Sequence, residues 1–310
     1  MPSRVVRRAL ALLAVIAQCG IAVTGTIVRV SQSGLGCPTW PQCANGSLVP
    51  VADPVLGQAH QWIEFSNRLL TFAVTAVSIL VFLSALLSRP RRRRYVLLAL
   101  TMPLGVVLQA VVGGTTVLLH LVWWSVSLHF LVSPLLVWLS VVVLRAVDEG
   151  DEPVRPLVST AARRLLVVQS VVIVAVLVAG TFVTAAGPHA GDYRTARLGL
   201  PITALTAVHG GLVVTLLLLL AAIGGLIRGQ LPEHRTLRIR YWALIGLVIA
   251  NGSLGIVQYL LKVPDVMVPL HILGAVLVTA GGASLWCAAR DRGPAPVADA
   301  PAAPEVLEAV

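Results

Sequence analysis

Eight apolar stretches, each long enough to cross a lipid bilayer as a helix, account for most of this 310-residue sequence. About 20 apolar residues span the hydrocarbon core, so each stretch predicts one transmembrane helix. Hydrophobic residues make up 57% of the chain and charged residues 12%, a balance that soluble domains of this length do not show. The sequence therefore predicts an all-α polytopic membrane protein. The predicted spans are residues 9–29, 62–87, 95–117, 124–144, 165–186, 202–227, 241–261 and 268–288.

The formal net charge of +10 does not indicate nucleic-acid binding, because the basic residues collect at the ends of the predicted spans. Arginines are concentrated before the first span, after the second, fourth and sixth spans, and after the eighth. Loops rich in arginine face the cytoplasm, so we expect a cell-membrane protein with both termini cytoplasmic. The N-terminal arginines precede an apolar run that resembles a signal peptide, but the run is long enough to span and shows no cleavage site, so we expect it to remain.

A polar pattern repeats between the two halves of the chain. His129 and His271 lie 142 positions apart, and Asn67 and His209 repeat that offset. We therefore predict two pseudo-symmetric four-helix bundles that are parallel repeats, related by an axis along the membrane normal. The predicted parts are an N-terminal half (1–147), a cytoplasmic linker (148–162), a C-terminal half (163–292) and a disordered cytoplasmic tail (293–310).

Two shorter resemblances between the halves accompany the histidine offset. Residues 104–109, Leu-Gly-Val-Val-Leu-Gln, resemble residues 254–258, Leu-Gly-Ile-Val-Gln. Gly25 and Thr26 in the first span likewise resemble Gly180 and Thr181 in the fifth. These matches support the division of the chain into two four-span repeats.

His209 and His271 lie at similar depth in their spans and are candidate ligands. A lone intramembrane histidine is more often a hydrogen-bonded helix contact, but a depth-matched pair at the repeat offset favours ligation. A haem held between two helices by one axial histidine from each fits this pattern. A zinc site is disfavoured because no third or fourth ligand accompanies the pair. The first half, with His129 and Asn67, is predicted to be an altered copy of this site.

Glu64 is the only carboxylate inside any predicted span. Placing an ionisable group in the membrane is costly, so such a residue indicates function. The alternative is a structural ion pair with Arg68, which lies four residues later on the same helix face. The sequence leaves both interpretations open, and the ion pair could itself serve the function.

Cysteines and the remaining histidines give weaker signals. Cys37 and Cys43 flank a short stretch of the first outer loop, where an oxidising compartment favours a disulfide. Cys19 and Cys287 lie within spans and are predicted to be packing residues. The other histidines are expected to be solvated, less firmly for His60 because it precedes Glu64 by one turn. These histidines are His60, His120, His189 and His234.

Five segments, taken in order, resemble the haem A synthase family. The longest is residues 33–43, Ser-Gly-Leu-Gly-Cys-Pro-Thr-Trp-Pro-Gln-Cys, followed by residues 63–68, Ile-Glu-Phe-Ser-Asn-Arg. The others are residues 113–117, Gly-Gly-Thr-Thr-Val, residues 127–130, Ser-Leu-His-Phe, and residues 186–192, Ala-Gly-Pro-His-Ala-Gly-Asp. Each segment alone is weakly specific, but together they cover roughly residues 10–290 in the same order.

The resemblance implies an oxidoreductase that converts a ring methyl of haem O to a formyl group through a hydroxymethyl intermediate, giving haem A for terminal oxidases. It implies a substrate haem in the first half and haem b in the second. Haem O synthase would supply the substrate, terminal oxidase assembly would use the product, and an electron donor that the sequence does not identify would be needed. The implied residues are Glu64 as the catalytic carboxylate, His129, Asn67 and Arg68 at the substrate haem, His209 and His271 as axial ligands of haem b iron, and Cys37–Cys43 as a disulfide.

The chain departs from the family pattern at three places. Family members often have histidine at the position of Asn67, and an amide does not readily ligate iron, so either Asn67 or His60 would face the substrate haem. Gly210 stands where arginine is frequent, and the second outer loop lacks the cysteine pair of some members. An open axial position at the substrate haem would suit a site of oxidation.

Three other classes compete with this interpretation. A b-type haem electron-transfer protein, such as a quinol-linked cytochrome, explains His209 and His271 but gives Glu64 and the cysteine loop no role. A transporter with parallel repeats predicts helices interrupted near the midplane, whereas these spans are mostly continuous. Haem O synthase itself is disfavoured, because the sequence has no paired aspartate motif to hold a diphosphate through magnesium.

Overall fold

The computed structural model describes residues 2–52 and 57–296. Within these residues it contains eight α-helices that are long and apolar enough to cross a membrane, which confirms the predicted class. Some helices begin or end several residues outside the predicted spans, because polar and arginine-bearing turns continue the helix beyond the apolar run. The helices are α1 (Arg4–Val30), α2 (Gln58–Leu86), α3 (Arg93–Leu118), α4 (Trp123–Asp148), α5 (Thr160–Ala186), α6 (Ile202–Ile227), α7 (Arg235–Leu260) and α8 (Met267–Ala288).

The helices form the two predicted four-helix bundles. In the first, α1 and α3 each pack against both α2 and α4, so the four helices close a ring. In the second, the main contacts join α5 to α6 and α7 to α8, and the two pairs touch each other less extensively. The second bundle is therefore two tight helix pairs, and its interior lies between them.

The two bundles meet along α4 and α8. These helices pack against each other, while α1 contacts α8 and α5 contacts α4, so exchanging the halves exchanges equivalent contacts. Cys19, Ala22, Val137 and Val276 form a buried cluster at this junction. Such small and β-branched residues allow the close helix packing that drives association in lipid. Cys19 is thus a packing residue, as predicted.

The linker is fixed by hydrogen bonds to the C-terminal end of the chain. A short strand β1 (Arg155–Pro156) pairs antiparallel with β2 (Arg290–Asp291). The N–H of Gly150 donates to the carbonyl oxygen of Gly293 at 2.7 Å. The ordered chain therefore continues to residue 296, into the segment predicted to be a disordered tail, and residues 297–310 of that segment lie outside the described residues.

A buried acid stabilises the same end of the molecule. Glu149, in the linker, is 2% exposed and pairs with Arg94 at 3.1 Å and with Arg145 at 3.2 Å. Asp148, the last residue of α4, pairs with Arg4 at 2.8 Å. Arginines on α1, α3 and α4 therefore tie these helices to the linker.

At the opposite end, the loop after α1 is joined to the loop after α5. The N–H of Gly34 donates to the carbonyl oxygen of Gly191 at 2.9 Å, and Arg29 Nε donates to that of His189 at 2.6 Å. His189 Nε2 lies 3.0 Å from the carbonyl oxygen of Val263. Its side chain is 12% exposed, so the prediction that His189 is solvated was wrong. Tertiary contacts between three loops bury it.

Candidate functional site

The imidazole rings of His209 on α6 and His271 on α8 face each other across the second bundle. Their centroids are 6.3 Å apart and their planes are inclined by 65°. The helices that carry them do not pack directly against each other along their described lengths. Two imidazoles that bind one metal ion, each at about 2 Å through one nitrogen, have centroids about 6 Å apart. The separation therefore fits a shared metal centre between α6 and α8.

His209 presents one free ring nitrogen. Its Nδ1 lies 3.0 Å from the carbonyl oxygen of Val176 on α5. A carbonyl oxygen can only accept, so Nδ1 carries the proton and Nε2 keeps its lone pair. Gly180, one turn further along α5, lies against the ring, since a Cβ there would be 3.2 Å from Cε1 of His209. A carbonyl and a glycine of α5 thus orient His209 as a metal ligand is usually oriented.

His271 has a similar environment, built from α7. One terminal atom of the Asn251 amide lies 3.2 Å from Nδ1 of His271. Gly255, one turn later on α7, lies against the ring, since a Cβ there would be 3.0 Å from Cε1 of His271. Each histidine of the pair therefore has a polar partner at Nδ1 and a glycine at the ring edge.

His129 on α4 repeats the environment of His271. One amide atom of Gln109 on α3 lies 3.0 Å from Nδ1 of His129, and a Cβ at Gly113 would be 2.8 Å from its Cε1. Gln109 and Gly113 precede Asn251 and Gly255 by 142 positions, the same offset as between the histidines. The predicted histidine repeat thus extends to the side chains that surround each ring.

This geometry corrects one alignment made from the sequence. The match of residues 104–109 with residues 254–258 equates Gln109 with Gln258, whereas the structure equates Gln109 with Asn251, two turns earlier on α7. Runs of Leu, Val and Gly resemble one another in several alignments, so residue similarity alone gave the wrong alignment of α3 with α7. The 142-residue offset, applied to α3 and α7, is the signal that would have found Gln109 and Asn251.

Asn67 on α2 occupies the position that His209 has in the second half. A Cβ added at Gly25 on α1 would have Nδ2 of Asn67 as its nearest neighbour, at 4.0 Å. In the same way, a Cβ added at Gly180 on α5 would have His209 as its nearest neighbour. The predicted correspondence of Gly25 with Gly180 is therefore confirmed. Oδ1 of Asn67 is buried and has no hydrogen-bond partner among the described residues. A buried acceptor without a donor costs about 1–3 kcal/mol and usually marks a missing partner.

Glu64 and Arg68 hold the loop that contains the two cysteines. Glu64 Oε1 pairs with Arg68 Nη2 at 2.6 Å, and Glu64 Oε2 accepts the backbone N–H of Cys37 at 2.7 Å. Arg68 Nη2 also donates to the carbonyl oxygen of Cys37 at 2.8 Å, and Arg68 Nη1 to that of Thr39 at 3.0 Å. The Glu64 side chain is only 7% exposed. Glu64 and Arg68 therefore form the ion pair considered as the alternative to a functional role, and together they hold the loop against α2.

The fastened loop covers one end of the first bundle. Cys37 and Cys43 form the predicted disulfide. Trp40, between them, packs onto α3 at Gly114, where any side chain would collide with its ring. Gly114 is adjacent to Gly113, the residue against His129. The loop therefore connects Glu64 on α2 with the surroundings of His129 on α3 and α4.

His60 lies apart from the interior of the first bundle. It is exposed at the start of α2, and its Nδ1 lies 3.0 Å from the hydroxyl of Ser33. Asn67 follows two turns later, at a position level with Gly25 on α1. Of the two candidates to face a substrate haem, Asn67 is the one directed toward the bundle interior.

A family model described as cytochrome oxidase assembly protein (COX15-CtaA) matches residues 8–193, more than half of the chain. The chain belongs to this family. The family resemblance expected from the sequence is therefore confirmed. In this member of the cytochrome oxidase assembly protein family, the matched region contains most of α1, all of α2 to α5, the disulfide loop, Glu64 and His129. His209 and His271 lie beyond it.

Similar proteins named heme A synthase occur in three bacilli, of which two illustrate the range of the matches. The protein of Geobacillus thermodenitrificans is 39% identical over 49 residues, which is 16% of this chain and 14% of that protein. The protein of Lysinibacillus sphaericus is 37% identical over 117 residues, 36% of each chain. The matched segments thus cover between 14% and 36% of the length of these curated relatives.

Proposed function

We propose that this protein is a haem A synthase, an oxidoreductase that converts a ring methyl of haem O to a formyl group through a hydroxymethyl intermediate. The observation that carries the proposal is the repeated histidine environment, with a complete pair in one half and an altered copy beneath the disulfide loop in the other. The similarity to proteins named heme A synthase supports the same reaction.

In the second half, residues 163–292, His209 and His271 would hold haem b. Their 6.3 Å centroid separation suits two imidazoles that share one iron. Haem b would supply electron transfer to the substrate half. Val176 and Asn251 would orient the two rings, because a partner at Nδ1 fixes the direction of a ligating imidazole.

In the first half, residues 1–147, His129 would bind the iron of haem O from one side. Asn67 would face the other side, where its amide makes a poor iron ligand. Its unpartnered Oδ1 would instead accept a hydrogen bond from a small molecule at the open axial position. The departure from the family pattern at Asn67 then favours an accessible substrate iron and leaves the reaction itself unchanged.

Glu64 would act at the edge of haem O. It precedes Asn67 by three residues on α2, which places it about 4.5 Å further toward the outer end on a neighbouring face. A carboxylate there would accept protons released as the methyl group is oxidised. Arg68 would orient the carboxylate through their 2.6 Å ion pair.

The cellular setting follows from the same proposal. The arginine-rich loops favour a cell-membrane protein with both termini in the cytoplasm. The linker, residues 148–162, and the tail, residues 293–310, would then also be cytoplasmic. The substrate would come from a haem O synthase in the same membrane. The product would pass to terminal oxidase assembly, in keeping with the description of the family.

A b-type haem electron-transfer protein is the second candidate, favoured by the His209–His271 pair taken alone. The two functions are separated by expressing the chain with haem O synthase in a bacterial host that makes no haem A, and extracting the pigments. We expect formyl haem in this strain and haem O alone in a strain with haem O synthase only. Purified protein that binds haem b but yields no formyl haem would favour the electron-transfer protein.

A further inference from the structure

We infer that Asn251, with Gln109 at the equivalent position of the first half, is a positioning residue that decides which nitrogen of the facing histidine carries the proton. The inference rests on the proposed function, since it concerns histidines that hold haem iron. It assigns a role to two amides that the proposed function leaves unused beyond simple orientation.

The Asn251 amide contacts its histidine at two points. One terminal atom lies 3.1 Å from the carbonyl oxygen of His271 and 3.2 Å from its Nδ1, and the other lies 3.3 Å from the backbone nitrogen of Ala275. The carbonyl oxygen of His271 and the N–H of Ala275 are partners within helix α8 at the usual four-residue spacing. With nitrogen toward α8 the amide pairs with both backbone groups, whereas with oxygen toward α8 its oxygen lies 3.1 Å from the carbonyl oxygen of His271. A proton on Nδ1 of His271 is therefore the contact that favours the second orientation.

A half-turn of the Asn251 amide exchanges its donor and acceptor and moves nothing else. With nitrogen toward α8, it donates to the carbonyl oxygen and to Nδ1 of His271, and the ring proton then lies on Nε2. With oxygen toward α8, it accepts the proton of Nδ1, and Nε2 has a free lone pair. Only the second arrangement lets His271 bind iron through Nε2, so ligation and amide orientation are coupled.

His209, in contrast, has a partner at Nδ1 that cannot change from acceptor to donor. Its Nδ1 faces the carbonyl oxygen of Val176, which cannot donate, so His209 always presents the lone pair of Nε2. On the opposite side of the His209–His271 pair, Nε2 of His271 has a free lone pair only when the oxygen of Asn251 faces α8. The two histidines therefore differ: His209 always has a free lone pair on Nε2, and His271 has one only in one orientation of the Asn251 amide.

The first half repeats the conditional arrangement. One Gln109 amide atom lies 3.0 Å from Nδ1 of His129 and 3.2 Å from its carbonyl oxygen, while the other lies 2.7 Å from the hydroxyl of Ser133. Ser133 precedes Ala275 by the same 142 positions. A hydroxyl can donate or accept, so Ser133 pairs with Gln109 in either orientation, although with oxygen toward His129 the amide oxygen lies 3.2 Å from the carbonyl oxygen of His129. A neutral amide against the same histidine nitrogen in both halves argues against chance packing.

An amide oxygen at Nδ1 has two consequences for a ligating imidazole. It holds the ring in position, and it makes Nε2 a stronger electron donor to iron. Loss of such a partner typically weakens metal binding roughly 10–100-fold. A less basic axial imidazole also favours the ferrous state, so the midpoint potential of haem b should rise.

The test compares Asn251→Leu and Asn251→Gln in purified full-length protein with haem bound. Asn251→Leu removes the amide, whereas Asn251→Gln restores one of the type found at position 109. Gln258→Leu is the matched control, because it removes another buried amide of α7 whose oxygen has no partner among the described residues. The measurements are the midpoint potential by redox titration and the rate of haem loss to an excess of a haem-scavenging protein.

We expect Asn251→Leu to raise the potential and to lose haem roughly 10–100-fold faster, with Asn251→Gln and Gln258→Leu close to the wild type. Wild-type values for Asn251→Leu, or equal changes in Gln258→Leu, would overturn the inference while leaving the haem b site intact. Should the wild-type protein itself show no low-spin haem, the inference and the proposed haem b site fail together. If Asn251→Leu does not accumulate, an Asn251→Gln protein with strongly altered potential would contradict the inference.

Discussion

Glu64 accepts a hydrogen bond from the backbone N–H of Cys37 at 2.7 Å, which joins the carboxylate on α2 directly to the disulfide loop. Two sequence features that were interpreted separately are therefore one structural unit. Arg68 completes it by bonding both the carboxylate and the loop carbonyls. Any movement of the loop would change the surroundings of Glu64, so the loop and the proposed chemistry are coupled.

Glu64→Gln should separate the two roles of this carboxylate. Glutamine keeps an oxygen for the N–H of Cys37 but loses the ion pair with Arg68 and the capacity to accept a proton. We expect haem b to be retained while haem O, or its hydroxylated intermediate, accumulates in pigment extracts. Glu152→Gln is the control, because it removes an exposed ion pair with Arg155 on the linker. Normal haem A yield from Glu64→Gln would confine this residue to holding the loop.

The Cys37–Cys43 disulfide should stabilise the loop but not determine its position. Closing so short a ring contributes about 2 kcal/mol in the chain-entropy picture, while Arg68 holds the same loop through three backbone carbonyls. We expect a Cys37→Ser, Cys43→Ser double variant to fold with a lower melting temperature. In denatured, non-reduced wild-type protein, thiol labelling should modify only Cys19 and Cys287. Four labelled cysteines would contradict the bridge.

The spans and the repeat could be predicted from the sequence, because both depend on residue types and spacings that a single sequence displays. Hydropathy alone locates a membrane helix, and a shared offset such as that of His129 and His271 needs no structure to be seen. The helix pairing could not be derived in this way. That α1 and α4 both contact α8 depends on small residues meeting across the two bundles.

The partners of the histidines were missed for a different reason. Gln109 and Asn251 are single amides in apolar helices, and nothing in their neighbours distinguishes them from packing residues. His189 was misjudged because the sequence could not indicate that loops distant along the chain converge on it. Side-chain environments that form between distant segments are visible only once the fold is known.

Asn67→Leu tests whether the unpartnered oxygen of Asn67 serves a ligand. Leucine has a similar shape and no polar group, so it should leave the melting temperature unchanged or raise it, because an unpaired buried acceptor is lost. Haem A production should nevertheless fall. Gln169→Leu is the control, since both amide atoms of Gln169 are also buried without partners among the described residues. Unaltered haem A production in Asn67→Leu would remove Asn67 from the substrate site.

His209→Ala and His271→Ala test the haem b site directly. Each leaves one axial imidazole, so purified protein should lose the low-spin absorption of haem b or the haem itself. His120→Ala is a suitable control, because His120 is exposed at the end of α3. Spectra that remain low-spin in both His209→Ala and His271→Ala would exclude this pair as the ligands.

Gly255→Ala and Gly246→Ala provide the most conservative test of the same site, since each adds one methyl group to α7. A Cβ at position 255 would lie 3.0 Å from Cε1 of His271, so the ring must shift, whereas a Cβ at position 246 meets nothing within 4 Å. Alanine in an open helix position stabilises by about 0.4–1 kcal/mol through the unfolded state. We therefore expect Gly246→Ala to melt at the same or a higher temperature with an unchanged haem spectrum. Gly255→Ala should fold yet show a displaced or weakened low-spin band, because the imidazole no longer lies at the distance from His209 that a shared iron requires. Identical spectra for the two variants would mean that the ring of His271 is not held against α7 when haem is bound.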